Sequence, residues 1–190
     1  GNATNNIRWD SYNNISTLPQ VKWAIPISLG DSHRGFRVMG TDQRYFTHYR
    51  FGRDKPLSFT QGQPFEDLYD AVIGADIARE LGYQVGTELV LAHGAGAVSF
   101  VEHADKPFRV SGILDKTGTP VDRTIHVSLQ GIEALHVDWQ QGMPARGAGH
   151  VSAEQARDLD LKPTAITAML LGLNRRIDTF TVQRQVNQFS

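Results

Sequence analysis

Cysteine is absent from all 190 positions. Disulfides, thiol nucleophiles and Cys-type zinc sites are excluded together, and with them a disulfide-dense secreted scaffold. The compartment stays open, because periplasmic and cytosolic proteins alike do without cysteine. Long apolar runs are missing as well. The strongest, Ala165 to Leu173, falls far short of the ~20 residues that cross a bilayer. Bulk charge is almost nil: 19 Lys and Arg stand against 20 Asp and Glu, a formal net charge of -1. The basic residues are spread along the chain, so nothing favours nucleic acid or an anionic membrane surface as a partner. The polar opening, Gly1 to Asn6, lacks the basic-then-apolar profile of a signal peptide. A soluble chain is expected, either in its own right or as a soluble piece of a larger membrane protein.

What is present reads as an ordinary globular domain, with 40% hydrophobic and 21% charged residues. That length suits one domain, or a domain with a small second lobe, and buries a core without staples. A short helix is predicted over Ser11 to Leu18, stopped by Pro19. Val21, Trp23, Ile25 and Ile27 alternate along a strand to Leu29. Gly30-Asp31-Ser32 supplies turn chemistry, and Phe36 to Gly40 forms the second strand. A polar-aromatic turn or helix runs through Tyr49, and Gly52 to Glu66 reads as loop.

The sharpest local pattern follows. Ala71-Val72-Ile73 is a buried strand, Gly74 opens a turn, and Ala75 to Leu81 is a helix closed by Gly82. Strands are expected at Glu88 to His93, Val98 to His103, Phe108 to Leu114 and Ile125 to Ser128, with a turn at Gly94 to Ala97. Asp115 to Arg123 is a polar loop, and Leu129 to His136 a helix. Asp138 to His150 is the candidate mobile loop. Ser152 and Gln155 form a capping box for a helix to about Leu159. Thr164 to Leu173 is a strand, and a last helix starts near Thr179 with Val182, Val186 and Phe189 on one face. No repeat occurs. The result is α+β with mixed strands.

Few motifs carry chemistry. Asp115-Lys116-Thr117-Gly118-Thr119, set after an apolar strand, matches the phosphorylation signature of P-type ATPases. Phosphoryl transfer also needs further carboxylates for magnesium and a means of holding the triphosphate. Thr117 stands where related hydrolases carry a second aspartate, and no later Gly-Asp-Gly-x-x-Asn-Asp segment occurs. A polar loop is the better reading, with only Asp122 nearby as a further carboxylate. Gly94-Ala95-Gly96-Ala97 lacks the third glycine and the following helix of a dinucleotide loop. The seven histidines (33, 48, 93, 103, 126, 136 and 150) show neither His-x-His nor His-x-x-x-His spacing. A hairpin turn at 94–97 would set His93 against Val98, with His103 well down the partner strand. Structural or incidental roles are expected for the histidines unless several converge from afar. Gly-x-Ser-x-Gly is absent. No catalytic residue, cofactor site or metal site is assigned, and no enzyme is expected.

Several segments, taken in order, resemble one family. Asp70-Ala71-Val72-Ile73-Gly74-Ala75 through Leu81-Gly82, then Val85-Gly86-Thr87 with Glu88 to Leu91, then Phe108-Arg109-Val110-Ser111-Gly112-Ile113 are similar to the periplasmic core of MacB-like and FtsX-like ABC transporter permeases. Leu18 to Val21 with Val38 to Asp42 fits its first strand pair. Thr117 to Arg123 through Ile132 to Leu135 resembles one branch. The tail from Leu170 to Phe189 is similar to the return toward a membrane helix. Asp138 to Leu161 does not align.

The resemblance implies a porter-like mixed α/β lobe built from both chain ends, about 11–70 and 110–190, with a smaller, mostly β lobe inserted at about 71–109. It also implies a non-catalytic domain between two membrane helices, in the periplasm on the bacterial inner membrane, coupling ATP-driven motion to substrate or partner handling. The implied partners are an ATP-binding subunit reached through the membrane part, a second permease copy or homologue, and a periplasmic binding or adaptor protein. Thr117, Gly118, Thr119, Asp122 and Arg123 are the expected partner-contact loop, together with the 138–150 segment. The alternative is a periplasmic metal-handling domain with a long-range histidine site.

Overall fold

The computed structural model describes residues 6–93, 101–102, 104–137, 139–140, 143–144 and 150–174. The turn expected at 94–97, His103, most of the 138–150 loop and the C-terminal helix lie outside them. Two compact units are formed, one from residues 1–28 with 163–190 and one from 29–162.

The first unit brings together the beginning and end of the chain. Helix α1 (Trp9–Ser16) buries Tyr12 and Ile15. Strand β1 (Val21–His33) lies within this unit as far as Ser28. Tyr12 Oη donates to Ala24 O at 2.9 Å, tying α1 to β1. Antiparallel pairs join Ile7 to Ile166 and Arg8 to Ala165. A longer antiparallel ladder runs from Ala168 opposite Ile27 to Leu173 opposite Val21. Asn174 then donates from its backbone to Gln20 O and from Nδ2 to Pro19 O.

In the second unit, the end of β1 enters a mixed sheet with β2 (Phe36–Thr41), β3 (Phe59–Gly62), β4 (Asp70–Ile73), β5 (Phe108–Leu114) and β6 (Thr124–Ser128). The order is β1-β2-β6-β4-β5-β3, extended beyond β1 by the short strands 92–93 and 101–102. β6 runs parallel to β2 and antiparallel to β4, while β4 and β5 are parallel. Short helices α2 (Arg44–His48), α3 (Ala75–Leu81), α4 (Leu129–His136) and α5 (Ala153–Arg157) complete it.

Side chains alternate across a strand, so this order decides which residues share a face. Phe36, Val38, Ala71, Ile73, Phe108, Val110, Ile125 and Val127 form one core with Ile77 of α3, Ile132 and Leu135 of α4, and Ala156 of α5. The intervening residues Met39, Val72, Thr124 and His126 are buried too. Covered on both faces, the centre of the sheet reads as near-continuous apolar runs rather than clean alternation.

Helices α3 and α4 fall on their expected bounds, with Gly82 closing α3 at φ 67°. The Ser152–Gln155 capping box is complete. Three expectations are corrected. Gly30-Asp31-Ser32 is strand, and the turn is Arg34-Gly35, whose φ values of 49° and 84° suit a two-residue primed hairpin. Gly52 to Glu66 is not all loop: β3 pairs with β5, but as a mostly exposed edge strand it carries no apolar alternation. The strand expected over Glu88 to His93 is broken, since 88–89 pairs with β5 and 92–93 with β1.

His126 is the odd residue of the central strand. Its ring lies 5.1 Å from that of Tyr45 and 6.0 Å from that of Phe46, and Nδ1 donates to Val72 O at 2.9 Å. Nε2 has no partner. Burial holds the imidazole neutral and moves its pKa down from 6.5 to about 4. Between those values the unfolded chain binds more protons than the folded one, so stability present above pH 6.5 is lost as pH falls toward 4. The loss is roughly 3 kcal/mol. Urea unfolding across that range should show the slope, and His126→Leu should flatten it. An unchanged slope in the variant would contradict the assignment.

Candidate functional site

The loop singled out in the sequence leaves β5 and returns into β6. Thr119 caps a 3₁₀ turn over Pro120–Arg123 that opens on proline. Asp122, almost wholly buried, anchors the loop. Its carboxylate accepts from Thr117 N at 2.7 Å, Thr117 Oγ1 at 2.9 Å and Gly118 N at 2.8 Å. The hydroxyl oxygens of Thr117 and Thr119 lie 2.7 Å apart. Gly74 lets the turn pass close, since a Cβ there would sit 2.3 Å from the carbonyl oxygens of Val121 and Asp122.

Around the rim, Lys116 Nζ meets Asp76 Oδ1 at 2.9 Å and Arg123 Nη1 meets Glu80 Oε1 at 2.9 Å. The Arg123 guanidinium lies 4.8 Å from the centroid of the Phe36 ring. Lys116 holds the Asp76 carboxyl below the usual carboxylate range. Of the five expected contact residues, Gly118 and Arg123 are exposed, Thr117 and Thr119 are half-buried, and Asp122 faces inward.

Asp115 accepts from Ser58 Oγ and Thr60 Oγ1, which lower its pKa. Among the described residues, one cluster gathers three His, Asp or Glu ligand atoms, and Asp115 is not in it. The carboxylate set of a phosphoryl-transfer site is therefore not assembled there. That cluster is Asp31, His93 and His136, with ligand atoms within 4.8 Å of one another. His33 instead contacts Val90 O through Nδ1 and Tyr83 Oη through Nε2, each at 2.7 Å. His150 Nε2 lies 3.5 Å from Asp105 Oδ2.

Spacing along the chain did not reveal the triad, because its members come from three elements. Asp31 and His93 are opposite one another across antiparallel strands, and His136 ends α4. A signal was hidden in the hairpin: with the turn at Arg34-Gly35, Asp31 lies in a strand rather than a loop. His93 faces Val101, not Val98, across the neighbouring pair.

Among the described residues, clefts border the sheet. One, of about 340 Å³, is lined by Thr41, Asp42, Phe65, Asp67, Ser128 and Gln130, among others. The second, of about 400 Å³, includes Tyr69, Arg109 and Arg157. Arg157 bridges Asp67 through Nη1 and Nη2 at 2.6 and 3.2 Å and covers the Tyr69 ring at 4.9 Å. It thereby lowers the Asp67 pKa. Both clefts carry charges already committed to internal ion pairs.

The sequence profile of the MacB-like periplasmic core domain matches residues 1–185. The chain belongs to this family. Two solved structures are similar to it. The extracellular domain of the noncanonical ABC-type transporter YknZ, from Gram-positive bacteria, aligns with TM-score 0.54 at 11% identity, covering 98% of this chain and 83% of that one. The periplasmic region of MacB from Actinobacillus actinomycetemcomitans gives TM-score 0.51 at 10% identity, over 96% and 72%. At such identities the likeness is one of fold. Among curated proteins, none matches the chain.

This MacB-like domain is thus an extracytoplasmic part of an ABC transporter, a family that works with membrane and ATPase partners. Its location is extracytoplasmic within an inner-membrane protein. Among the described residues no helix is long and apolar enough to cross a membrane. A metal-handling domain is not favoured as its overall function. In the Thr117–Arg123 loop, Asp122→Ala removes the acceptor of three hydrogen bonds and should cost roughly 2–4 kcal/mol in urea unfolding. Replacing the exposed Asp115 by Ala should cost under about 1 kcal/mol. Equal effects would contradict the anchoring role of Asp122.

Proposed function

We propose that this domain is a non-catalytic coupling element, passing motion driven by ATP hydrolysis in the cytoplasm to the handling of a substrate or partner outside. The family match over residues 1–185 carries the reading. It is supported by the gathering of the early and late segments of the chain into one compact unit. A domain hung between two membrane helices receives movement through both of its ends, and cross-strand pairing of those ends passes the movement into one body rather than into slack chain.

The chemistry of the described residues suits such a role. Asp115 lacks the companion carboxylates of a phosphoryl acceptor among the described residues, and Asp42, Asp67 and Arg157 at the two clefts are held in ion pairs. The expected partners are an ATP-binding subunit, a second permease copy or homologue, and a periplasmic binding or adaptor protein. The exposed rim of the Thr117–Arg123 loop is the contact surface proposed for the last of these, because Asp122 fixes its shape before any partner arrives. Binding then costs little ordering.

The experiment uses the whole transporter in lipid nanodiscs, with one spin label at the exposed Arg53 of each permease copy. Distances between copies should shift between the nucleotide-free and ATP-trapped states. Identical distributions in a transporter that hydrolyses ATP normally would sink the coupling reading.

A further inference from the structure

We propose that Asp31, His93 and His136 form a binding site for a borderline divalent cation of the zinc class, which fastens the end of α4 to the edge of the sheet. His93 Nδ1 lies 3.3 Å from Asp31 Oδ1, and His136 Nε2 lies 3.5 Å from the same oxygen. These separations are long for hydrogen bonds between imidazole and carboxylate, which sit at about 2.7–2.9 Å when charge-assisted. They suit two ligands on one tetrahedral ion. With Zn–N and Zn–O bonds of ~2.0–2.1 Å, the edge of the tetrahedron is about 3.4 Å. An octahedral ion with bonds of ~2.1 Å brings neighbouring ligands to about 3.0 Å, closer than either separation here.

The donor set points the same way. Two imidazoles and one carboxylate suit zinc and its neighbours rather than magnesium or calcium, which take oxygen ligands. The His93 and His136 rings stand edge to face with centroids 5.1 Å apart, so their nitrogens approach from different directions. Asp31 has a side chain only 2% exposed, whereas His93 is 48% exposed, which gives a buried carboxyl group at the base and an open side for the ion to enter. Three protein ligands leave a fourth tetrahedral position for water or another donor.

The site is built by the fold. Strand pairing places His93 opposite Asp31. The third ligand comes from the last turn of α4, a helix whose other end is capped by Ser128. An ion here links a strand end, a neighbouring short strand and a helix terminus, all within residues 29–162. Because it binds the folded chain, it raises stability in proportion to the logarithm of its free concentration.

The test uses tag-free chain stripped of metal by chelator, titrated with Zn²⁺ by calorimetry and with Co²⁺ by visible absorption. One Zn²⁺ should bind per chain, raising the unfolding temperature, and Co²⁺ should give the intense bands of a four-coordinate ion. His93→Gln, at a half-exposed side chain, should keep the fold by circular dichroism. It should weaken Zn²⁺ binding at least as much as the ~10–100-fold loss typical of outer-shell partners. Asp31→Asn should do the same if it folds, and the His93 variant decides the matter if it does not. Failure to bind Zn²⁺, or binding and thermal stabilisation untouched by His93→Gln, overturns the proposal.

Discussion

The second unit depends on burying one strand, Thr124 to Val127, between two others. Residues Thr124 to Ser128 are hydrogen-bonded on both edges, parallel to Phe36–Thr41 and antiparallel to Asp70–Ile73. Ile125 and Val127 point into the helix-covered core, while Thr124 and His126 are buried between them. A strand closed in this way leaves no room for slippage, since a one-residue shift would exchange its two faces. Everything attached to it inherits that fixed position. Asp122 comes just before it and anchors the Thr117–Arg123 loop; Ser128 ends it and caps α4, which carries His136 toward Asp31.

Much of this was legible in the residues. The run Ala71 to Ile73, Gly74 and the helix to Gly82 announced themselves because strand, turn and cap signals fell in the right order. The Ser152 capping box and the α4 bounds were equally local. What stayed hidden was set by partners distant in sequence. Phe59–Gly62 carries almost no apolar pattern and becomes a strand only because the edge of β5 is open to it. Gly30-Asp31-Ser32 has the composition of a turn, yet Arg34-Gly35 outcompetes it by accepting positive φ at both positions.

The same division holds for the sites. The loop from Thr117 to Arg123 could be picked out because its polar residues follow an apolar strand. The inward role of Asp122 needed three dimensions, since its donors lie earlier in the chain. Asp31, His93 and His136 had no spacing to betray them, and only the ladder register brings the first two together. Family membership was visible as an ordered series of weak segments, each modest alone.

In the first unit the early and late parts of the chain pair directly. Arg8 and Ala165 face each other across antiparallel strands. Such partners have Cα atoms about 4.5–5.5 Å apart, within the ~4.4–6.8 Å that a disulfide spans. These 190 residues contain no cysteine, so Arg8→Cys with Ala165→Cys introduces a single candidate bridge within them. Mild oxidation of this double variant in the assembled transporter should close the bridge in nearly every copy. Free thiols persisting at positions 8 and 165 of the folded protein would contradict the pairing of these early and late segments, and with it the proposal that the domain receives motion through both.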